Sequence, residues 1–433
     1  MRAAHCGIAA VAGVALAMTS TPAAFGARLV SVGYRTPAAL HGLRVVQRVP
    51  GLRIAEVRLR DRRAERALRT RRGIRFVQRV VPRAETGSTI LPATNIAVPE
   101  WQWTAMHADQ VPPWVLQQAA GVTIAVIDTG ADVTVPTIAA KHPITYNVAT
   151  GTSLVPDVVG HGTFVASLAG GAISDPSGMT GFGGEAQLMI VQANRSGTGF
   201  SDADEASAIV WAVDHGANIV NLSFGGSQTS LVERSAVEYA IGHGVLLVAA
   251  AGNDGQAGNP AFYPAALIGR RGLVVGASTA GGGRAPFSTT GSYVDVLAPG
   301  VDVLGALGGG IQQGFFAPVE TPGATGSYGF GSGTSYAAPE VAGAAALVWA
   351  ANSTLDAGGV AAVIEASASG RGRWTKELAF GIVDTAAAVQ RAAGGVPALV
   401  TPTAAPVPPS AKVSKPKAKA KAGAKPRTHE RPR

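Results

Sequence analysis

Three polar residues stand in settings that suit nucleophilic catalysis: Asp128 in Val-Ile-Asp-Thr-Gly, His161 in Gly-His-Gly-Thr and Ser335 in Gly-Thr-Ser-Tyr-Ala-Ala-Pro. A serine hydroxyl is a poor nucleophile at neutral pH. It needs a base to accept its proton and a carboxylate to hold that base in one tautomer. The three residues occur in the order Asp, His, Ser, each beside small residues and an apolar stretch. This arrangement predicts a hydroxyl nucleophile activated by a histidine.

The apolar runs around these residues predict the elements that hold them. From about residue 122 onward, runs of strand length alternate with Ala-rich helical segments, at residues 122–127, 188–191, 219–224, 245–251 and 273–275. Such runs predict an α/β fold of three layers, with a doubly wound, mostly parallel sheet buried on both faces. Functional groups collect at the carboxyl ends of strands in these sheets. Asp128 lies at the end of the first run.

Each of the three residues also has an ordinary structural explanation. Asp128 can be a turn residue, His161 a structural side chain of an apolar helix, and Ser335 a plain N-cap. The glycines that flank His161 favour the close approach of another backbone. Residues 337–349 predict a buried helix with Pro339 in its first turn. Ser335 would then lie at a helix N-terminus, where free amides favour a developing oxyanion.

The sequence Asp-Thr-Gly-Ala-Asp that begins at Asp128 also resembles the active-site loop of aspartic proteases. Those enzymes need two such carboxylates that share one proton. No second Asp-Thr-Gly or Asp-Ser-Gly follows an apolar run in this sequence, and the dimeric versions are short chains. The sequence therefore favours serine chemistry.

Together the three segments resemble the subtilisin-like serine proteases, the subtilases, in the same chain order and over roughly residues 100–395. The resemblance implies that Asp128 orients and stabilises the histidine and that His161 is general base and then general acid. It implies that Ser335 is the nucleophile of peptide-bond hydrolysis through an acyl-enzyme. It also implies an oxyanion-binding role for Asn253, whose ordinary alternative is a turn residue.

The substrate cleft follows from the same resemblance. Segments 221–226 and 249–252 resemble the strands that line the primary specificity pocket, and segment 263–266 resembles the region near its base. Segment 195–199 resembles the strand that pairs with an extended substrate, which implies recognition by β-strand addition. An apolar pocket favours apolar or aromatic residues before the scissile bond. The residues predicted to bind substrate are Ser223, Phe224, Gly225, Ala250, Gly252 and Gly197.

The chain departs from the usual subtilase pattern at Phe164, Tyr336 and Glu340, none of which carries chemistry in the mechanism. Loop 174–178 falls where many relatives bind calcium, but Asp175 is its only charged ligand candidate. We therefore expect no required cofactor and no catalytic metal. A structural calcium ion stays open, without a clear site for it.

Two basic ends flank an acidic middle, so the net charge of +9 does not indicate nucleic-acid binding. Residues 28–86 hold 16 Arg against 4 acidic residues, residues 396–433 carry +8, and residues 87–395 carry −12.

Segment 28–86 mixes strand-like runs with a helix-like stretch. Its position and size resemble those of a subtilase pro-domain, which assists folding and inhibits the protease until cleaved. The opposite charges suggest electrostatic steering between the two parts. Alternatively, the arginines only keep a small domain soluble.

The two termini carry targeting and tail signals. Arg2 precedes an apolar run at residues 7–18 that is too short to span a bilayer, and small residues follow, which predicts a signal peptide over residues 1–26. A buried N-terminal helix is the alternative. The single cysteine, Cys6, falls in this segment, so the mature protein would lack disulfides.

Residues 396–433, rich in Pro, Ala and Lys, are expected to be disordered. This tail either contacts anionic cell-envelope polymers or acts only as a solubilising extension.

The sequence thus predicts a secreted, extracellular or cell-envelope-associated serine endopeptidase, made as a self-processing zymogen and acting as a monomer. Its predicted parts are the signal peptide 1–26, an inhibitory and chaperone pro-domain 27–86, a catalytic domain 87–395 and a disordered tail 396–433. Its predicted partners are protein or peptide substrates and its own pro-domain, with no nucleic acid. A catalytically silent subtilase fold used for binding, and an amidase or esterase with the same triad, are the alternatives.

Overall fold

The elements of the fold come from a computed structural model, which describes residues 28–85, 100–172, 181–194, 199–309, 316–319 and 326–394. The predicted signal peptide, the predicted tail and loop 174–178 lie outside these residues. The strands are β1 (Arg28–Tyr34), β2 (Arg44–Val49), β3 (Ile54–Leu59), β4 (Ile74–Arg79), β5 (Pro82–Glu85), β6 (Thr123–Asp128), β7 (Ile144–Asn147), β8 (Gln187–Gln192), β9 (Phe200–Ser201), β10 (Ile219–Leu222), β11 (Phe224–Gly225), β12 (Leu246–Ala250), β13 (Leu273–Ser278), β14 (Val296–Pro299), β15 (Val303–Leu307), β16 (Ala317–Val319) and β17 (Ser327–Gly331). The α-helices are α1 (Arg62–Arg69), α2 (Trp101–Ala105), α3 (Pro113–Gln118), α4 (Pro136–Ala139), α5 (His161–Gly170), α6 (Asp202–Asp214), α7 (Leu231–Gly242), α8 (Ala265–Ile268), α9 (Thr334–Ala351), α10 (Ala357–Ser367) and α11 (Thr385–Ala392).

The first 52 described residues form a small antiparallel sheet with the order β2-β3-β1-β4, and α1 packs on it. Asp61 caps the N-terminus of α1, and its side chain accepts a hydrogen bond of 2.8 Å from the amide of Ala64. Every second residue from Val30 in β1 and from Ala55 in β3 is apolar and buried, and Leu68 of α1 closes the same small core. This four-stranded sheet is the α+β part that the sequence predicts before the main fold.

Seven parallel strands make the central sheet, in the order β14-β13-β12-β10-β6-β8-β7. Because strands with apolar residues at every position must be covered on both faces, the sheet needs a helical layer on each side. Ile124 and Val126 face one layer and pack with α5 and α9, whereas Ala125 and Ile127 face the layer formed by α6 and α7. The predicted α/β fold with a doubly wound parallel sheet is confirmed.

Helices α5 and α9 lie against each other under the sheet. A Cβ atom at Gly343 of α9 would come within 2.7 Å of the carbonyl oxygen of Ala169 in α5. Real side chains do not tolerate such a contact, so the small residues of both helices set how closely they pack. This packing fixes the N-termini of the two helices, where His161 and Ser335 lie, relative to each other.

The neighbouring strands β6, β10 and β12 end at the same edge of the central sheet. Asp128 is the last residue of β6, Ser223 follows β10, and Asn253 follows β12 by three residues. The chain then begins α9 at Thr334, three residues before the predicted start. The predicted position of Pro339 in the first turn is therefore wrong, because Pro339 lies inside the helix.

Two three-stranded antiparallel sheets flank this edge. One has the order β15-β17-β16 and belongs to the segment just before α9. The other has the order β11-β5-β9, so β5 lies between two strands of the main fold. Within the described ranges, no helix combines the length and the apolar character needed to cross a membrane.

Candidate active site

Asp128 and His161 form a buried pair at the edge of the sheet. His161 Nδ1 lies 2.8 Å from Asp128 Oδ1, and neither side chain is exposed to solvent. The amide of Thr129 donates to the same carboxylate oxygen at 2.7 Å. Burial by itself lowers the pKa of His161, but the carboxylate of Asp128 outweighs it, and the pKa is raised. The pair therefore holds one tautomer of the imidazole and stabilises its cation.

Asp157 fixes the loop that presents His161. One of its carboxylate oxygens accepts from Thr129 Oγ1 at 2.8 Å and from the Gly160 amide at 2.8 Å, and the other accepts from the Thr163 amide at 2.8 Å. A Cβ atom at Gly162 would collide with the carbonyl oxygen of Gly130, so only glycine allows this approach. Sequence reasoning missed Asp157, although a carboxylate four residues before His161 is a local signal for it.

Ser335 lies in the first turn of α9 and contacts Ser223. The Ser335 hydroxyl donates to the carbonyl oxygen of Ser223 at 3.0 Å, and the Ser223 hydroxyl donates to the carbonyl oxygen of Ser335 at 2.7 Å. Pro339 has no amide hydrogen, so the carbonyl of Ser335 has no helical donor four residues on. The hydroxyl of Ser223 takes the place of that donor. The proline inside α9 thus ties the serine segment to the end of β10.

The serine segment and the histidine adjoin each other through Tyr336. The ring centroids of Tyr336 and His161 lie 5.7 Å apart. Nε2 of His161 is buried and makes no hydrogen bond within the part of the chain that the structure describes. This nitrogen is the one that can accept a proton, since Nδ1 is engaged by Asp128.

Asn253 is oriented by the start of α9. Its Oδ1 accepts from the amide of Thr334 at 2.9 Å and from the hydroxyl of Thr334 at 2.9 Å. Because an amide N–H can only donate, this contact fixes which branch of the Asn253 side chain is the oxygen. The NH₂ donor is then directed away from Thr334. The geometry suits a donor for an oxyanion formed beside Ser335.

Strand β5 occupies the cleft between β9 and β11. Ala84 pairs with Gly225 and Glu85 with Phe224 on one side, while Arg83 pairs with Phe200 on the other. Segment 221–226 was predicted to line the cleft, and β5 pairs with its residues Phe224 and Gly225. An extended stretch of the chain itself therefore lies where a peptide added as a strand would lie.

Glu85 ends β5 close to the Asp128–His161 pair. Its carboxylate accepts from Asn194 Nδ2 at 3.0 Å. Burial raises the pKa of Glu85, the His161 cation opposes this effect, and the Asp128 carboxylate adds to it. Because such charge effects are strong only over short distances, the end of β5 lies close to the Asp128–His161 pair.

The remaining predicted substrate residues are distributed around this strand. Ala250 is the buried last residue of β12, and Gly252 donates its amide to the Thr334 hydroxyl at 3.2 Å. Gly197 lies outside the described residues. Among the described residues, no group of three or more His, Cys, Asp or Glu side chains is arranged to hold a metal ion.

Sequence reasoning missed a second set of charged residues in the cleft: Arg83 of β5, Glu205 of α6 and Glu233 of α7. Arg83 contacts both carboxylates, and all three side chains are fully buried. Charged residues usually face solvent, so nothing in the local sequence marks these three as partners. Their pairing is visible only once the topology brings β5 against the two helices.

Comparisons with known proteins agree on this architecture. Residues 119–390 match the model of the subtilase family. The chain is 36% identical over 235 residues to a thermophilic serine proteinase from Bacillus sp. (strain AK1), covering 54% of this chain and 53% of that protein. It is 34% identical over 242 residues to subtilisin amylosacchariticus from Bacillus subtilis subsp. amylosacchariticus, covering 53% and 55%. The match thus spans about half the length of each of these curated relatives.

Among solved structures, the crystal structure of fervidolysin from Fervidobacterium pennivorans, a keratinolytic enzyme related to subtilisin, superposes with a TM-score of 0.72 at 25% identity. The alignment covers 84% of this chain and 61% of that one.

Proposed function

The chain belongs to the subtilase family, and from this premise we propose that it is a serine endopeptidase. Its reaction is the hydrolysis of peptide bonds in protein or peptide substrates through an acyl-enzyme on Ser335. One observation carries the proposal: a peptide strand, β5, lies paired in the cleft and ends beside a buried His–Asp pair. A cleft that pairs with a peptide backbone on both sides suits an endopeptidase better than an esterase.

The proposed reaction begins when the Ser335 hydroxyl turns from the carbonyl of Ser223 to Nε2 of His161. Ser335 Oγ attacks the substrate carbonyl carbon while His161 takes the hydroxyl proton, and Asp128 stabilises the resulting imidazolium. The Asn253 side-chain amide and the Ser335 backbone amide donate to the oxyanion. His161 then gives its proton to the leaving amine. A water molecule, activated by the same imidazole, hydrolyses the ester on Ser335.

We propose further that the chain is a zymogen in which residues 27–86 are the pro-domain. Strand β5 blocks the cleft, so the protease stays inhibited while this segment is bound. Beyond Glu85 the strand direction leads from Phe224 toward Ser223, and Ser223 contacts Ser335. The bond cut in self-processing is therefore proposed to lie within a few residues after Glu85, where the predicted pro-domain ends.

Secretion is part of the same proposal. The predicted signal peptide 1–26 would direct the chain out of the cell, and the basic tail 396–433 would either contact anionic envelope polymers or keep the protein soluble. A monomer is sufficient, because Asp128, His161 and Ser335 are contributed by one chain. The +12 of residues 28–86 and the −12 of residues 87–395 support electrostatic steering between pro-domain and protease.

The test compares full-length wild type with Ser335→Ala, using the intact mass of the protein and casein hydrolysis. We expect the wild type to lose its N-terminal segment and to digest casein, and the alanine variant to do neither. Ser332→Ala is the matched control, since Ser332 is a buried serine three residues away that accepts the amide of Asp302. If Ser335→Ala matures and digests casein like the wild type, the proposal is wrong.

The two alternatives give different results in the same preparation. A catalytically silent fold used for binding would leave casein and small ester substrates intact in wild type as well. An amidase or esterase would cleave a small ester in a Ser335-dependent way without digesting casein.

A further inference from the structure

Arg83 is enclosed by acceptors on all sides. Its Nε donates to Glu205 Oε2 at 2.7 Å and its Nη2 donates to Glu233 Oε1 at 2.5 Å. Its Nη1 donates to the carbonyl oxygens of Pro82 and Gln228, each at 3.1 Å. All three nitrogens of the guanidinium are therefore engaged, and the side chain is not exposed.

Three of the four acceptors around Arg83 belong to the main fold, and only the carbonyl of Pro82 belongs to β5 itself. Glu205 lies in the first turn of α6 and Glu233 in the first turn of α7. A carboxylate is favoured at such a position by the partial positive charge of the helix N-terminus. The Thr229 hydroxyl also donates to Glu233 Oε2 at 2.8 Å. The acidic pocket therefore stays in the protease when β5 leaves.

An empty pocket of this kind is unfavourable. Two buried carboxylates without a cation repel each other, and removing the partner of a buried ion pair is strongly destabilising. Burial and the neighbouring carboxylate of Glu233 raise the pKa of Glu205 to about 8 even beside Arg83. Burial also raises the pKa of Glu233. Arg83 opposes both shifts, so a cation in this pocket favours the ionised carboxylates over their buried, protonated forms.

We propose that Glu205 and Glu233 form a specificity pocket that selects an arginine side chain of the substrate. This inference rests on the proposed function, because it assumes that a substrate peptide binds between β9 and β11 as β5 does. The substrate class is then a protein with an exposed, extended segment that carries an arginine. This arginine takes the place of Arg83, two residues before the position that Glu85 occupies beside His161. Cleavage follows a few residues after that arginine.

The pocket fits arginine better than lysine. The guanidinium presents a planar fork that reaches two carboxylates and two carbonyls at once. A single ammonium on a flexible stem cannot meet acceptors spread over β5, α6 and α7, so some of them would stay buried without a donor. We therefore expect lysine to be a poor substitute.

The experiment uses protein that is expressed as the full chain and has then processed itself, together with internally quenched peptides that have the sequence of residues 81–90. One peptide keeps the arginine, one carries citrulline in its place and one carries lysine. Citrulline has nearly the same shape without the charge. We expect kcat/KM for the arginine peptide to exceed that for the citrulline peptide by at least about tenfold, the loss typical of one hydrogen bond to a charged group.

Protein variants then assign the selection to the pocket. Glu205→Gln with Glu233→Gln should bring the arginine-to-citrulline ratio of kcat/KM close to one. Glu238→Gln is the matched control, because Glu238 lies on the same α7 and forms an exposed ion pair with Arg271. This control should keep the wild-type ratio.

The outcomes separate this inference from the proposed function. Equal cleavage of the arginine and citrulline peptides by a protein that digests casein would overturn the pocket and leave the protease. Absence of any Ser335-dependent cleavage of casein or peptides would overturn both. If the double variant fails to fold, the wild-type comparison of arginine with citrulline still decides. A preference for arginine that persists in a folded double variant would also contradict the role of the two glutamates.

Discussion

Nδ1 of His161 lies 2.8 Å from Oδ1 of Asp128, and both side chains are shut off from solvent. Since burial disfavours the imidazolium and the carboxylate more than compensates, the pKa of His161 lies above its ordinary value of 6.5. The charges of Glu85 and Asp157 act in the same direction. The pair is thus built to stabilise a proton that arrives on His161 during the reaction.

This relationship predicts the pH dependence of activity. Only neutral His161 can accept the serine proton, so kcat/KM should fall as the pH drops through its raised pKa, and the acid limb should lie above pH 6.5. Asp128→Asn should lower kcat by about 10,000-fold, the size of effect measured when the corresponding residue of another serine protease was changed. The measurement is a pH profile of peptide hydrolysis.

Asp132→Asn is the control for that experiment, since Asp132 lies four residues on and bonds to Thr134 and Gly309 instead. We expect its profile to match wild type. An acid limb that stays in place in Asp128→Asn would argue against the pairing.

A second prediction concerns Asn253. Asn253→Asp keeps an oxygen for the amide and hydroxyl of Thr334 but removes the NH₂ donor. We expect kcat to fall by about 100- to 1000-fold with little change in KM, a magnitude known from loss of such a donor in subtilisin, a relative. A role limited to holding Thr334 predicts near-normal kcat in Asn253→Asp and a loss only in Asn253→Ala.

A third prediction concerns the buried arginine. In full-length Ser335→Ala, which cannot process itself, Arg83→Leu leaves Glu205 and Glu233 without their cation. We expect the free energy of unfolding to fall by about 3–5 kcal/mol, as for other buried pairs that lose one partner. Denaturant unfolding measures it. Arg75→Leu, at an exposed arginine of β4, should cost much less. Equal losses in the two variants would show that the buried pairing is not what stabilises the strand.

A fourth prediction concerns Glu340 inside α9. Both of its oxygens are buried and make no hydrogen bond to the described residues, and burial raises its pKa well above 4.5. In the unfolded chain the carboxyl ionises near its ordinary pKa, so wild-type stability falls as pH rises above that value, by up to about 1.4 kcal/mol per pH unit. The side chain of Gln in Glu340→Gln does not ionise, so its contribution to the free energy of unfolding does not change with pH.

The stability difference between Glu340→Gln and its parent should therefore move in favour of the variant between about pH 5 and about pH 8. Thermal unfolding of the two proteins in the Ser335→Ala background measures it. A difference that is constant with pH would mean that Glu340 titrates in the folded protein as it does in the unfolded chain.

Local sequence patterns predicted the five inner strands of the main sheet because these are continuous apolar runs, and they missed the two edge strands, β7 and β14. They placed Asp128 at a strand end, which is where β6 ends. They placed the start of α9 too late, because proline is usually a first-turn residue and here Ser223 satisfies the carbonyl that Pro339 leaves open. They also missed β1, in which the apolar residues Val30 and Val32 alternate with Ser31 and Gly33.

The contacts of Arg83 could not be predicted in this way. Arg83 is separated from Glu205 by 122 residues and from Glu233 by 150. Each of the three looks locally like a charged surface residue. Only the docking of β5 between β9 and β11 removes them from water, so their role is a property of the tertiary structure.

The central claim is that Ser335 is the nucleophile, and covalent labelling tests it most directly. Self-processed protein is treated with a fluorophosphonate, which reacts only with an activated serine, and the adduct is located by peptide mass spectrometry. We predict one adduct, on Ser335, with casein hydrolysis lost in proportion to labelling. Casein hydrolysis that persists after Ser335 is labelled, or that disappears with the adduct on another residue, would contradict the account.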